Sequence, residues 1–511
     1  MDNPAFDEYA SAASATSDGS TGSTTSATAT TSTTSGTATS AATASTTSTT
    51  SESASGSVSS GSSTSTTGFD GPCDQRSVDW LVRVHGSGSQ HLENVAIAED
   101  GDVGVLGTFN GALRIGDQEV ATESLGNDVF IARFSPDGIL KWQRTYGGVG
   151  SQTGEGVAFD SQGNLVFVLN NGGSVAFGND TKTKQGMAPD SVVARVDPSG
   201  ELLSAWALSS ADWAVLYDVA VAPDGGLLIA GAFNDTLSAD VGWSEVGIGN
   251  RSAFIAKLDG AGERVWLRRS EGPGTSVAYG VDVSGAGEVV FTGFFVDGAI
   301  TIAGTLLAVA NGDGDNAFVA RVDKDNAPVG VEAFGGAGSQ RATEAVYDPN
   351  GNYVVAGEFV QALGGTDLVT ESGKVDAFIY KTDVADMNSS WGTVAGAADA
   401  EHSEALAAAA DASLAWGADF AGAFAVGECD VASDNPAFFI VESDPAGLIT
   451  WAQGYSAAPG DAGVENLAFD GDASLVAVGW HTDALTIGGE TLPGPADAKD
   501  DSFLVRFAAL P

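Results

Sequence analysis

A seven-residue run of aromatic and β-branched character recurs seven times along the chain. It reads DVFIARF from Asp128, DSVVARV from Asp190, SAFIAKL from Ser252, NAFVARV from Asn316, DAFIYKT from Asp376, AFFIVES from Ala437 and DSFLVRF from Asp501. Tryptophans mark the same period of about sixty residues independently: Trp80, Trp142, Trp206 and Trp266, then Trp391 and Trp451. One member of that series is missing, and its place is taken by the stretch Val331 to Gly336. A fixed period of this length means that one supersecondary unit is repeated, so the chain cannot be read as a single ordinary core.

Within each repeat the recurring run, strand C, leads into a turn such as SPDG or DPSG, and the Trp-marked strand D follows. After a polar loop comes a short strand A, for example NVAIA from Asn94 or DVAVA from Asp218. A tight turn then leads to strand B, for example VGVLGTF from Val103 or VVFTGFF from Val289. Four short strands repeated seven times, with no helical periodicity of useful length, predict an all-β fold, a seven-bladed β-propeller over residues 73–511. Repeats two and six are the irregular ones: LVFVLNN at Leu165 lacks the strand-B glycine, and EALAAAA and LAWGADF in repeat six depart from the pattern.

The folded region opens on a strand D (Trp80 to Gly86) and closes on a strand C (Phe503 to Phe507), so the last blade is predicted to be completed by the N-terminal strand. Such pairing closes the ring and removes a free terminal edge. Residues 1–72 are different in kind. From Ser11 to Gly68, 39 of 58 residues are Ser or Thr and none is Lys or Arg, a composition that cannot bury enough apolar area to offset its ordering entropy. This segment is expected to be a disordered stalk. No export signal is visible in its first ten residues.

Charge and composition narrow the function. Lys plus Arg number 21 against 67 Asp plus Glu, and residues 73–511 alone still carry 61 acids against those 21 bases. A surface this negative repels phosphate backbones, so no nucleic-acid partner is expected. No apolar run approaches the ~18 residues of a membrane span, and no transmembrane segment is expected. A G-x-S-x-G elbow, an H-E-x-x-H pair, a Walker loop and a dinucleotide fingerprint are all absent from the sequence.

The repeats resemble the bacterial seven-bladed propeller repeat family often called SBBP, whose units look like D-x-F-[IV]-A-[KR], then G-x-x-x-W, then G-G. The resemblance covers essentially all of residues 79–511. With the Ser/Thr-rich segment it implies a protein similar to exported bacterial surface lipoproteins, although neither a signal peptide nor an acylatable cysteine stands near the start. Such a protein would be extracellular or at the cell surface.

The A-to-B and C-to-D turns are short and alike, whereas the B-to-C connections are long and varied, so any site is expected on the B-to-C face. All four histidines fall there: His85, His91, His402 and His481. His91 with Glu93 and His402 with Glu404 occupy equivalent places two blades apart and could share a metal, although solvated loop histidines are the favoured reading. The residue opening strand A is acidic in several repeats (Glu93, Glu155, Glu404 and Glu465, with Glu344 one place out of register) and tyrosine in two (Tyr217 and Tyr279). Strand A is innermost in a propeller, so these side chains are expected to ring one mouth of the central channel.

Asn311, Asp313 and Asp315 resemble the start of a calcium loop, without the glutamate that closes one. Trp213 and Trp243 lie in loops of repeat three and are candidates for stacking on a sugar or anchoring a protein, against the blander reading of rings folded onto their own blade. Cys73 and Cys429, the only cysteines, belong to neighbouring blades and could form a disulfide. The function these residues favour is a monomeric, non-catalytic module binding an extracellular protein or glycan; the alternative is a metal-assisted hydrolase or lyase at the channel mouth.

Overall fold

A computed structural model describes residues 76–510, apart from 117, 122–125, 249, 309–313, 337, 365, 367, 371–373, 383–390, 397–400 and 498. The Ser/Thr-rich segment lies outside the described residues. Every regular element described is a β-strand.

The strands assemble into antiparallel sheets of four, in the order A-B-C-D. The first comprises Gln90–Ile97, Val103–Phe109, Asp128–Phe134 and Leu140–Tyr146, and the second Gln152–Phe159, Leu165–Asn171, Asp190–Val196 and Leu202–Ser209. The third holds Ala214–Val221, Leu227–Phe233, Ser252–Leu258 and Arg264–Arg269; the fourth Thr275–Val283, Val289–Val296, Asn316–Val322 and Pro328–Phe334. Then come Gln340–Tyr347, Tyr353–Val360, Val375–Thr382 and Trp391–Ala395, followed by His402–Ala408, Leu414–Val426, Cys429–Ser443 and Ile449–Ser456. The last sheet takes its strands A, B and C from Ala462–Phe469, Leu475–His481 and Asp501–Phe507, and its strand D from Val78–Ser87. That closing pair runs from Val78 opposite Phe507 to Val84 opposite Ser502.

Strand A of each sheet touches strand A of the next, and the last touches the first, so the innermost strands form a closed ring. This is a propeller arrangement. Strands B and C are buried on both faces, which explains their nearly continuous apolar sequence. The core lies between sheets: Val476, Val478 and Leu504 of the last sheet pack with Val103, Val105 and Phe130 of the first.

More hydrogen-bonded sheets are present than the seven expected, because several B-to-C connections fold into short hairpins of their own. These hairpins reach back over the outer strand D of the preceding sheet. Residues 112–115 pair with Val84–Ser87, and Leu208 pairs with Ala239. Each covers part of an otherwise open strand edge.

The tryptophan period also has a packing cause. Trp80 and Trp142 donate their indole N–H to the carbonyls of Pro136 and Pro198 in the next repeat's C-to-D turn, at 2.8 and 2.9 Å. Their rings lie against Gly138 and Gly200, where an added Cβ would approach within 2.6 and 2.9 Å. Both glycines also sit at positive φ, so the turn and the tryptophan each demand glycine.

Candidate functional site: the mouth of the central channel

Each strand A carries a register shift against its strand B at one equivalent place. The extra residue falls at Glu93, Glu155–Gly156, Tyr217, Tyr279–Gly280, Thr343, Glu404 and Glu465. A β-bulge leaves its extra residue out of the ladder and re-aims the side chain. These are the positions that the sequence marked as opening strand A. Glu344 looked out of register because Thr343 holds the bulge of that sheet.

The ring so formed is uneven. Glu404, Glu465, Glu93 and Glu155 come from four successive sheets and lie close enough for their charges to act on one another. Across from them Tyr217 and Tyr279 pack edge to face, with centroids 4.9 Å apart. Burial, with the neighbouring carboxylates, drives the acids up: Glu155 to about 8, Glu404 to about 7, and Glu465 well above the carboxylate range. Glu155 is further held by Nδ2 of Asn170 at 2.7 Å and the hydroxyl of Thr153 at 2.9 Å.

Two residues before the bulge the side chains form an outer tier, and here His91 and His402 are found. Each imidazole has one ring nitrogen against a carboxylate. Nε2 of His91 lies 3.0 Å from Asp500, with the ring stacked on Trp480. Nδ1 of His402 lies 2.7 Å from Glu358. The hydrogen bond to Glu358 raises His402 to about 9 against the opposing effect of burial, so it is cationic at neutral pH. Arg341 extends the network, contacting Asp315 at 2.6 Å and Glu358 at 3.5 Å.

Other sequence candidates fall elsewhere. His481 is wholly buried, with Nδ1 against the carbonyl of Asp483 at 2.6 Å, and burial lowers its pKa. His85 sits on the closing strand D, and burial lowers its pKa as well. Trp213 and Trp243 are only 5% and 8% exposed, which removes them as stacking platforms. Arg251 covers the Trp213 ring at 4.1 Å, and the Trp243 indole N–H donates to the Gly262 carbonyl at 3.0 Å. Each ring is packed inward, Trp213 with Val277 and Phe294 and Trp243 with Trp206, because a loop indole loses more by staying wet than by packing.

Asn311 and Asp313 lie outside the described residues, and the Asp315 carboxylate is engaged by Arg341 rather than free for calcium. Among the described residues no group of three or more His, Cys, Asp or Glu is placed to hold a metal ion. Cys429 is buried and disulfide-bonded; the chain's other cysteine, Cys73, lies outside the described residues. Among the described residues no helix is long and apolar enough to cross a membrane.

Sequence reasoning missed the partners that occupy the two histidines. Asp500 and Glu358 come from the B-to-C and strand-B positions of adjacent sheets, and no local spacing links them to His91 or His402. It also missed Asp218, Asp282 and Asp419, which bond to the next sheet's backbone. Asp218 accepts the N–H of Val281 at 2.9 Å, Asp282 that of Tyr347 at 2.6 Å and Asp419 that of Val464 at 3.2 Å.

No protein-family model matches the chain, and no curated protein matches it in sequence. Solved structures do match in shape. Hydrazine synthase from Kuenenia stuttgartiensis aligns over 77% of this chain and 93% of its own, with 12% identity and a TM-score of 0.41. YCF48 bound to D1 peptide aligns over 88% and 100%, at 11% identity and TM-score 0.41. A catalytically inactive variant of virginiamycin B lyase from Staphylococcus aureus, with quinupristin, aligns over 83% and 98%, at 12% identity and TM-score 0.38. Resemblance at this level says nothing about activity.

Proposed function

We propose that this protein is a non-catalytic binding module: a seven-bladed propeller of SBBP type, displayed outside the cell on its Ser/Thr-rich stalk, that takes a basic protein segment at the bulge-lined mouth of its channel. The observation that carries this reading is the convergence of Glu404, Glu465, Glu93 and Glu155 from four successive sheets onto one rim. A Lys- or Arg-rich segment entering there would favour the ionised form of these acids and offset the repulsion between them.

The reading of a metal-assisted hydrolase or lyase loses support because, among the described residues, no group of three or more His, Cys, Asp or Glu is placed to hold a metal ion, and His402 is cationic at neutral pH. The test is binding of the full chain to peptide and glycan arrays. Lys/Arg-rich peptides are expected to bind, and the triple variant E93Q/E404Q/E465Q is expected to lose at least tenfold in affinity. Capture of glycans alone, or silence across both arrays, would overturn the proposal.

A further inference from the structure

In a chain with 67 acids and 21 bases, a cation should not lack a partner. Every arginine described except one donates a hydrogen bond to a carboxylate or a carbonyl. The exception is Arg251. Among the described residues its guanidinium makes no hydrogen bond and no ion pair; it lies over the Trp213 ring, 4.1 Å from the centroid. A guanidinium stacked on an indole is held in one plane and keeps its edge N–H groups, the fork that pairs with a carboxylate, turned away from the ring.

The backbone fixes where this fork stands. Arg251 precedes strand C of the third sheet and bridges to Thr275, the first residue of strand A of the fourth. Its carbonyl accepts the N–H of Ser276 at 3.1 Å. Trp213 packs in one apolar cluster with Tyr279, and Tyr217 packs against that cluster. The charge of Arg251 acts on the Tyr279 hydroxyl, so the half-buried guanidinium borders the tyrosine side of the mouth. Arg341 also acts on Tyr279, but it is already engaged by Asp315 and Glu358. The mouth thus has two unlike parts: four glutamates on the sixth, seventh, first and second sheets, and an unpaired guanidinium beside the tyrosines of the third and fourth.

A free phosphate would meet the repulsion of those glutamates with nothing to offset it. A carboxylate carried by a basic segment brings its own compensation. We propose that the segment taken at the mouth carries a carboxylate beside its basic side chains, and that Arg251 receives this carboxylate as a two-pronged pair while the basic side chains lie on the glutamates. The inference rests on the basic-segment reading and adds a polarity to it, with the carboxylate toward the third and fourth sheets. A chain terminus and an Asp or Glu side chain present the same two oxygens, and the experiment separates them.

The probes are the peptide GKRK with a free carboxyl terminus, GKRK as its amide and GKRKDG as its amide, titrated calorimetrically into the full chain at neutral pH. The free acid or the Asp-containing amide is expected to bind about tenfold tighter than the GKRK amide, the gain of one charged two-pronged pair, and whichever does so names the source. Arg251→Met keeps an aliphatic stem on Trp213 and is expected to abolish that difference. Arg251→Lys, which keeps the charge without the fork, is expected to remove most of it. Equal binding of all three peptides, or a difference that survives in Arg251→Met, overturns this inference and leaves the basic-segment reading standing. No binding of any of the three overturns both.

Discussion

The two faces of the propeller use the same acids in opposite ways. On the short-turn face, carboxylates of the A-to-B turn meet a cation from strand C of their own sheet: Asp102 with Arg133 at 2.6 Å, Asp224 with Lys257 at 2.6 Å, Glu288 with Arg321 at 2.9 Å and Asp348 with Lys381 at 2.9 Å. Asp160 with Arg195 and Asp470 and Asp472 with Arg506 complete the series. At the channel mouth the acids face one another. Asp160 and Asp348 are accordingly held below the usual range by hydrogen bonds and the paired cation, which outweigh burial, whereas Glu155 and Glu404 are pushed up by burial and like charge. Acids with a cationic partner knit the fold, whereas those at the mouth meet other carboxylates.

The sixth sheet tests this contrast. Its strand C carries Glu442 where the others carry Lys or Arg. The missing cation arrives from the N-terminal segment: Nε of Arg76 donates to Glu442 at 2.8 Å, and its Nη1 donates to the carbonyls of Ala473 and Ala508 at 3.2 and 2.7 Å. The guanidinium lies over Phe469, as that of Arg133 lies over the equivalent Phe159. Arg133 likewise donates to the carbonyl of Gly163, the residue equivalent to Ala473 in the next A-to-B turn. Arg76 thus rebuilds, from a distant part of the chain, a contact that the sixth repeat lost.

The largest effect is expected from Arg76→Ala, which leaves Glu442 buried and unpaired and costs ~3–5 kcal/mol in denaturant unfolding. Adding Glu442→Gln or Glu442→Lys should restore much of it, and a double variant as unstable as the single one would break the equivalence of Arg76 with the strand-C cations. Arg133→Ala should cost less, about 1.5–3 kcal/mol, because Lys141 still contacts Asp102.

The smallest effect separates the faces by pH. The mouth acids have folded pKa values raised above the ~4.3 of an unfolded glutamate, so their contribution is fully present below that value and is lost as pH rises through about 7 to 8. The turn-face aspartates, with depressed values, act in the opposite sense, and their contribution is lost only as pH falls below ~4. Glu155→Gln should therefore raise the melting temperature at pH 9, by the equivalent of ~1–3 kcal/mol, and leave it unchanged at pH 5. Equal gains at both pH values would mean that Glu155 acts by packing and not by charge.

Much of this fold was legible from periodicity. The strand-C run, the tryptophans and the glycine turns each repeat because each answers one packing need, and the split last sheet follows from the phase of the repeat. The acidic strand-A positions were legible too, and Glu344 fell out of register because Thr343 occupies the bulge of its sheet. The loop tryptophans stayed open to two readings, since composition cannot say whether a loop ring faces water or packs inward, and Trp213 and Trp243 are buried.

Sequence alone determined which residues alternate, where turns fall and which acids recur at one place in the repeat, because these are local consequences of a two-residue strand period and a fixed unit length. The tertiary structure alone decided their electrostatic fate. Whether a carboxylate meets Arg76, His402 or another carboxylate depends on which sheets the closed ring makes neighbours, and charges interact through space and not along the chain.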